Sequence, residues 1–494
     1  MTTATAPSAT GYEVVIGLEV HAQLNTRSKM FCGCASDYFA APPNTRVCAV
    51  CLGMPGVLPV INRSAVDLTI LTGLALGCTI PPHSKFDRKN YPYPDLMKGY
   101  QISQYDEPLC LGGAVAIELD GERREVGLER IHLEEDTARL LHREGGPADG
   151  DGYSLLDVNR SGVPLMEIVS APDMRSPEEA VAYLRELRRT LRYLDVSDAD
   201  MEKGSFRCDA NISLRRPGDP LGSKVEIKNM NSFRAVQRAI ESEIRRQAAV
   251  LDDGGSVEQE TRGYIEETGG TASQRSKEEA HDYRYFPEPD LPPLEIGEER
   301  LAEIRGRLPE LPDARRARFE REYGLAAAEA GLLAETRARA DAFEEAVAAS
   351  GPGRAQAVAR WLIGDVAALL NQAGGDVELA DTPLTPGHVA ELVGLTEDGV
   401  ITAASAKQVL GAAFESGDAP AAIVEARGLA QLRDDEGLAR IAAEVIEANP
   451  QAVEDYRGGK ENAIKFLVGQ VMRATRGRAD PNEAQAALRS VLDG

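Results

Sequence analysis

No run of this sequence is apolar for long enough to cross a bilayer. The longest, Leu68 to Ile80, is broken by Thr69, Thr72, Gly73, Gly77 and Thr79, and it falls short of the roughly 20 residues a spanning helix needs. The first eleven residues, Met1 to Gly11, are rich in Thr, Ala, Ser and Pro, with neither a basic region nor an apolar stretch. They read as a loose tail and not as a secretory leader, so the expected location is cytoplasmic. Cations are in deficit: 55 Lys+Arg stand against 79 Asp+Glu, a net charge of −24. That excludes coating nucleic acid through bulk electrostatics and leaves only a local basic patch for such a role. Also missing are a G-x-x-x-x-G-K-[ST] loop, a strand-borne G-x-G-x-x-G, a G-x-S-x-G elbow and any Ser–Lys or Cys–His pairing that stands out. A nucleotide, if used, is not bound in a P-loop or Rossmann manner.

What is present has two textures. The 494 residues exceed one ordinary core, so two to four domains are expected. Up to about residue 292, short alternating segments dominate: Glu13–Gln23, Ala114–Leu119, Val163–Ser170, Cys208–Arg215 and Lys224–Lys228. They predict a mostly antiparallel sheet. Ser176-Pro177-Glu178-Glu179 is a capping box with Pro at the first helical position, predicting a helix to Leu194. Ser64 is expected to cap another that ends near Gly77. Asp252–Lys277, rich in Gly, Glu, Thr and Gln, reads as an exposed hairpin or loop. After Pro287-Glu288-Pro289-Asp290-Leu291-Pro292-Pro293 the chain turns Ala/Glu/Arg/Leu-rich and helical. Gly374-Gly375 and Asp381–Gly387 divide it again, between a bundle around Trp361 and a last set of helices. The class is α+β.

Several patterns carry chemistry. Glu19-Val20-His21 puts a carboxylate and an imidazole on one face of a strand; alone it is as well read as a surface pair. Glu167 interrupts the apolar run Val163–Val169, which suits a metal ligand or a partner of a cation such as Arg160. His132-Leu133-Glu134-Glu135-Asp136 is a dense acidic run, which reads alone as an exposed acidic turn and in company with other acids as oxygen ligands for a hard cation. Asp209, Asn211, Ser213 and Arg215, with Lys224, Glu226 and Lys228, make all-polar faces that suit a concave site or a solvated sheet. Cys32-x-Cys34 and Cys48-x-x-Cys51 match a structural zinc site of four thiolates, whereas Cys78, Cys110 and Cys208 read as packing residues. Lys85 to Asp95 interleaves aromatics and cations. Near the C-terminus Arg457, Lys460, Lys465, Arg473, Arg476 and Arg478 face one acid, Glu461. Such a basic ridge fits a phosphate backbone.

Taken together, Val15–His21, Lys85–Tyr91, Tyr100–Gln104, His132–Asp136, Met201–Asn211 and Asp282–Asp290 resemble the GatB family of glutamyl/aspartyl-tRNA amidotransferase components. The resemblance runs from about Tyr12 to the end of the chain. It implies a glutamine-synthetase-like cradle (12–292), a helical domain (293–403) and a YqeY-like tail that binds tRNA (404–494). It implies a carbon–nitrogen ligase with glutamine as amido donor. ATP and Mg2+ would phosphorylate the side-chain carboxylate of Glu on tRNA(Gln) or Asp on tRNA(Asn), and ammonia would then displace phosphate. Expected partners are a glutaminase, GatA, which supplies ammonia through a channel, and a small third component, GatC. By this resemblance His21, Glu135 and Glu167 are the Mg2+ ligands, with Glu19 as a further contact or a base for ammonia. Lys85, Arg88, Lys224 and Lys228 are candidates for phosphate or substrate. Lys465, Arg473, Arg476 and Arg478 are candidates for tRNA, and zinc at Cys32, Cys34, Cys48 and Cys51 is structural. Met97 departs from the family pattern, where Pro is common, in a way that touches loop rigidity more than chemistry.

Overall fold

The computed structural model describes residues 11–143, 152–276, 283–374, 377–431, 435–460, 462–475 and 477–493. Of the expected tail, Met1 to Gly11, residues 1–10 lie outside them. The chain forms two compact units, 11–311 and 312–493.

The first unit is built on a sheet that has nine strands among the described residues. Its main strands are β1 (Glu13–Gln23), β2 (Glu122–Glu135), β3 (Pro164–Ser170), β4 (Phe206–Arg215), β5 (Val225–Met230), β6 (Glu260–Ile265) and β7 (Gly270–Ser276). Their order is β7-β6-β5-β4-β1-β3-β2, with Cys110–Leu111 and Ala114–Leu119 also paired to β2. Every pair is antiparallel except β5–β6. That parallel step needs a crossover, which the helix Phe233–Asp252 supplies. The segment expected as a hairpin or loop is thus a hairpin, β6–β7, incorporated into the sheet.

Alternation decides which face is which. On β1, Val14, Ile16, Leu18, Val20 and Ala22 are buried in the core, leaving Glu13, Glu19 and His21 on the opposite face. On β4, Cys208, Ala210, Ile212 and Leu214 join that core, and Arg207, Asp209 and Asn211 share the polar face. Helix Pro177–Tyr193 contributes Leu184, Leu187 and Leu191 to the same core. Ser176 caps it by accepting from the Glu179 N–H at 3.1 Å, as the capping box requires. Helix Arg63–Ala75 starts two residues earlier than expected. Asn62, not Ser64, is the cap, its side-chain oxygen accepting from the Ser64 N–H at 2.9 Å.

The first unit runs past the Pro-rich boundary at 292. Ile296 and Ile304 are buried in its core, and Leu301, Leu308 and Leu311 pack against it. Among the described residues the second unit is all-helical, with two apolar cores. One extends from Phe319 to Leu429 and includes Phe343, Val389 and Leu410, so the break expected around 403 does not divide it. The other begins at Leu438 and ends at Leu492. Among the described residues no helix is long and apolar enough to cross a membrane.

Candidate active site

Strand register assembles the site. Arg207, His21, Glu167 and His132 lie side by side in one row across β4, β1, β3 and β2. Glu134, two residues on from His132, projects from the same face. Glu167 Oε2 sits 3.2 Å from His132 Nε2 and 3.4 Å from His21 Nε2, and Glu134 Oε1 is 3.7 Å from His21 Nε2. Ligand atoms of His21, Glu134 and Glu167 all lie within 4.8 Å of one another.

Two buried carboxylates this close cost several kcal/mol each unless cations compensate. Burial pushes the His21 imidazole toward neutrality, but Glu167, Glu134 and Asp209 outweigh it and raise its pKa to about 9. Burial likewise opposes ionisation of Glu167, yet His132 and His21 hold it well below the usual carboxylate range. Lys89 is the next cation. Burial disfavours its charge, while Glu134, Tyr285 and Glu167 raise its pKa above the ordinary lysine value, and its Nζ lies 5.0 Å from the centre of the Tyr283 ring.

The cluster opens into a cleft of about 580 Å3, lined among others by His21, Lys89, Glu134, Arg207, Asp209 and Lys228. Asp209 pairs with Lys228. Arg207 donates to Asp136 at 2.8 Å, and Gln23 Nε2 donates to the same carboxylate oxygen at 2.7 Å.

A second group gathers Cys32, Cys34, Cys48 and Cys51, whose sulfurs lie within 4.8 Å of one another. Cys48 and Cys51 sulfurs are 3.9 Å apart. A tetrahedral zinc site with Zn–S of about 2.3 Å has sulfur edges of about 3.8 Å, so the four thiols fit a closed structural ion. A hydrogen bond from Cys32 is the main reason that the Cys51 thiol falls to about 4, whereas burial pushes Cys34 up to about 11. As expected of packing residues, Cys78, Cys110 and Cys208 are buried.

The family model of the GatB/GatE catalytic domain matches residues 14–302, and that of the GatB domain matches residues 341–492. The chain belongs to the GatB family. It is 55% identical over 482 residues to the B component of the aspartyl/glutamyl-tRNA(Asn/Gln) amidotransferase of Thermomicrobium roseum, covering 97% of this chain and 99% of that protein. The same component from Dehalococcoides mccartyi (strain ATCC BAA-2266 / KCTC 15142 / 195) is 53% identical over 491 residues, with 98% and 99% covered. That of Moorella thermoacetica is 53% identical over 482 residues, with 97% and 100% covered.

Within this GatB-family chain the sequence-derived site needs one central correction. Glu135, expected beside His21 and Glu167, points the other way, on the face that carries Ile131 and Leu133. Its Oε1 is 2.6 Å from Lys98 Nζ and accepts from the Ile102 N–H at 3.0 Å. It lines a separate cavity of about 130 Å3 together with Cys32 and Cys51. Glu134 stands where Glu135 was expected. Glu19 shares the His21 face but accepts from Asn211 Nδ2 at 2.9 Å and does not line the cleft.

Of the four candidate phosphate cations only Lys228 lines the cleft. Lys85 is held by Asp87 and Asp106. Arg88 is clamped in bidentate fashion by Glu288 at 2.7 and 2.8 Å, and Lys224 is exposed just before β5. Sequence reasoning missed Lys89 and Arg207. A signal for Lys89 was available: it alternates with Arg88 on the strand Asp87–Asn90 and so faces the other way.

In the second unit Lys465 and Arg473 are exposed on the helix Asn462–Ala474. Arg478 instead donates to the carbonyls of Thr475 at 3.1 Å and Gly428 at 3.5 Å. Arg476 lies outside the described residues.

Proposed function

We propose that the cleft of the first unit is where an aminoacyl side-chain carboxylate, Glu on tRNA(Gln) or Asp on tRNA(Asn), is phosphorylated by ATP and then amidated. The observation that carries this reading is the His21–Glu134–Glu167 cluster facing a cleft ringed by Lys89, Arg207 and Lys228. The related proteins bear the name of a tRNA amidotransferase, which supports the substrate class.

A carboxylate is a poor acyl donor. Transfer of the γ-phosphoryl breaks the β–γ P–O bond of ATP and forms a carboxyl phosphate with ADP. Attack of ammonia then forms the C–N bond, expels phosphate and leaves the amide. The two carboxylates are the oxygen ligands that Mg2+ takes, with water and substrate phosphate completing its shell, and the imidazole is a third donor. His21, Glu134 and Glu167 would hold Mg2+, which would neutralise phosphoryl charge. His21 must release a proton to become a ligand. His132, hydrogen-bonded to Glu167, fixes the orientation of that carboxylate. Lys89, Lys228 and Arg207 bring positive charge to the anionic nucleotide and substrate.

Cys32, Cys34, Cys48 and Cys51 would hold a structural zinc ion that ties the two loops carrying them. Lys465 and Arg473, exposed on the helix Asn462–Ala474, contribute to a tRNA-binding surface in the second unit. Ammonia comes from a glutaminase, GatA, with the small GatC completing a cytoplasmic heterotrimer.

The test is amidation of Glu-tRNA(Gln) and Asp-tRNA(Asn) by the complex reconstituted with GatA and GatC. Glu134→Gln is expected to lower the amidation rate at least ~100-fold, a typical loss for a displaced charge in a phosphoryl-transfer site, with tRNA affinity unchanged. Wild-type amidation by this variant contradicts the proposal.

A further inference from the structure

The helix Asn462–Ala474 buries Ile464, Leu467 and Val471 in the last apolar core. Its opposite stripe carries Phe466, Gly469 and Arg473, at i, i+3 and i+7, with Lys465 beside them. All four are exposed, and Phe466 leaves 51% of its surface in water. Phe466 is not among the residues of the core beneath it. Gly469 has open space where a Cβ would stand, so the surface one turn beyond the ring is flat. The helix contains two cations and no acid, in a chain of net charge −24.

We infer that Phe466 is a stacking platform for a base face of the tRNA, with Lys465 and Arg473 set on either side of it for the flanking phosphates. The inference rests on the tRNA reading above and adds to it an aromatic, salt-independent contact. Charge chooses the occupant. A protein-docking face gathers several apolar side chains; among the described residues of this core the other exposed large apolar side chain is Val491, on a different helix. A single ring between cations, beside a flat glycine, is the arrangement that takes nucleobases, because every base offers a π-face and its phosphates need counter-charge.

The experiment measures binding of tRNA(Gln) and tRNA(Asn) transcripts to the full chain over a salt series. Phe466→Ala is expected to weaken binding about tenfold while leaving the slope of log Kd against log salt unchanged, and Phe466→Trp to restore affinity. Arg473→Glu is expected to reduce the slope by about one. A Phe466→Ala variant with a wild-type melting curve and affinity within twofold of wild type overturns the stacking role. If that variant instead alters the oligomeric state of the free chain without changing tRNA affinity, the ring belongs to a protein contact and the inference is equally overturned. An unchanged slope in Arg473→Glu contradicts the underlying tRNA reading, a separate outcome from failure of Phe466.

Discussion

At the scale of single residues, parity along a strand decides which side chains can meet across the sheet. His132 and Glu134 share a face with Glu167 on the adjacent strand, and Glu135 cannot join them without turning its strand over. The sequence contained this information: His132-x-Glu134 repeats the same-face logic of Glu19-x-His21. Three consecutive acids hid it, because nothing in the run alone says which parity meets β3. Only the register, with His132 opposite Glu167, resolves the choice. Lys89 was obscured in the same way between Arg88 and Asn90. The cysteine group, by contrast, was fully legible, since four thiols so near in sequence have few other uses. If Lys89 supplies the positive charge that the nucleotide meets, Lys89→Met lowers tRNA-dependent ATP hydrolysis by one to two orders of magnitude. Lys85→Met, which loses only contacts to Asp87 and Asp106, leaves it within a few-fold; measuring both in one assay separates the two lysines.

At the scale of elements, the strands followed from alternation and the capped helix from four residues, whereas the later boundaries did not follow. Pro-rich and Gly-rich stretches mark turns, but a domain ends where apolar contacts stop. Ile296 and Ile304 attach the chain after 292 to the first core, and Leu429 closes the second core well beyond the glycines at 374 and 375.

In that second core, Phe319 and Phe343 meet with ring centres 4.9 Å apart. Beside them Glu344 bridges two arginines, with Arg318 at 2.7 Å and Arg315 close to its other oxygen. Burial favours the neutral acid, but the two guanidiniums hold the Glu344 pKa below its ordinary 4.5. A depressed folded pKa gives stability that is present above the unfolded value and is lost as pH falls through the folded one. Glu344→Gln is therefore expected to destabilise this unit at pH 7 by roughly 1–2 kcal/mol, with the difference from wild type vanishing well below the ordinary value of 4.5. Denaturant melts of both proteins at neutral pH and at about pH 3 check this; an equal difference at both contradicts it. The cysteine loops make an independent prediction. Cys48→Ser is expected to lose one equivalent of zinc by elemental analysis and to lower Tm, while a zinc content already near zero in wild type removes the structural ion from the account.

At the scale of the molecule, a sheet-built unit holds the carboxylate cluster and an all-helical unit holds the exposed cationic helix. Under the proposed function, the net charge of −24 is reconciled with an RNA substrate by cations gathered locally, at Lys89, Arg207 and Lys228 in the cleft and at Lys465 and Arg473 on the last core. Family membership was legible because its motifs are long and numerous, while the grouping of His21, Glu134 and Glu167 was not, since it depends on how the strands pair. The proposed chemistry therefore turns on the identity of the acidic ligand on β2. Mn2+ substitutes for Mg2+ in oxygen-rich sites and is visible by electron paramagnetic resonance. Titrating the full chain with Mn2+ is predicted to show one bound ion in wild type and in Glu135→Gln, and its loss or a fall in affinity of at least about tenfold in Glu134→Gln. Retention of the ion in Glu134→Gln with loss in Glu135→Gln would contradict the site described.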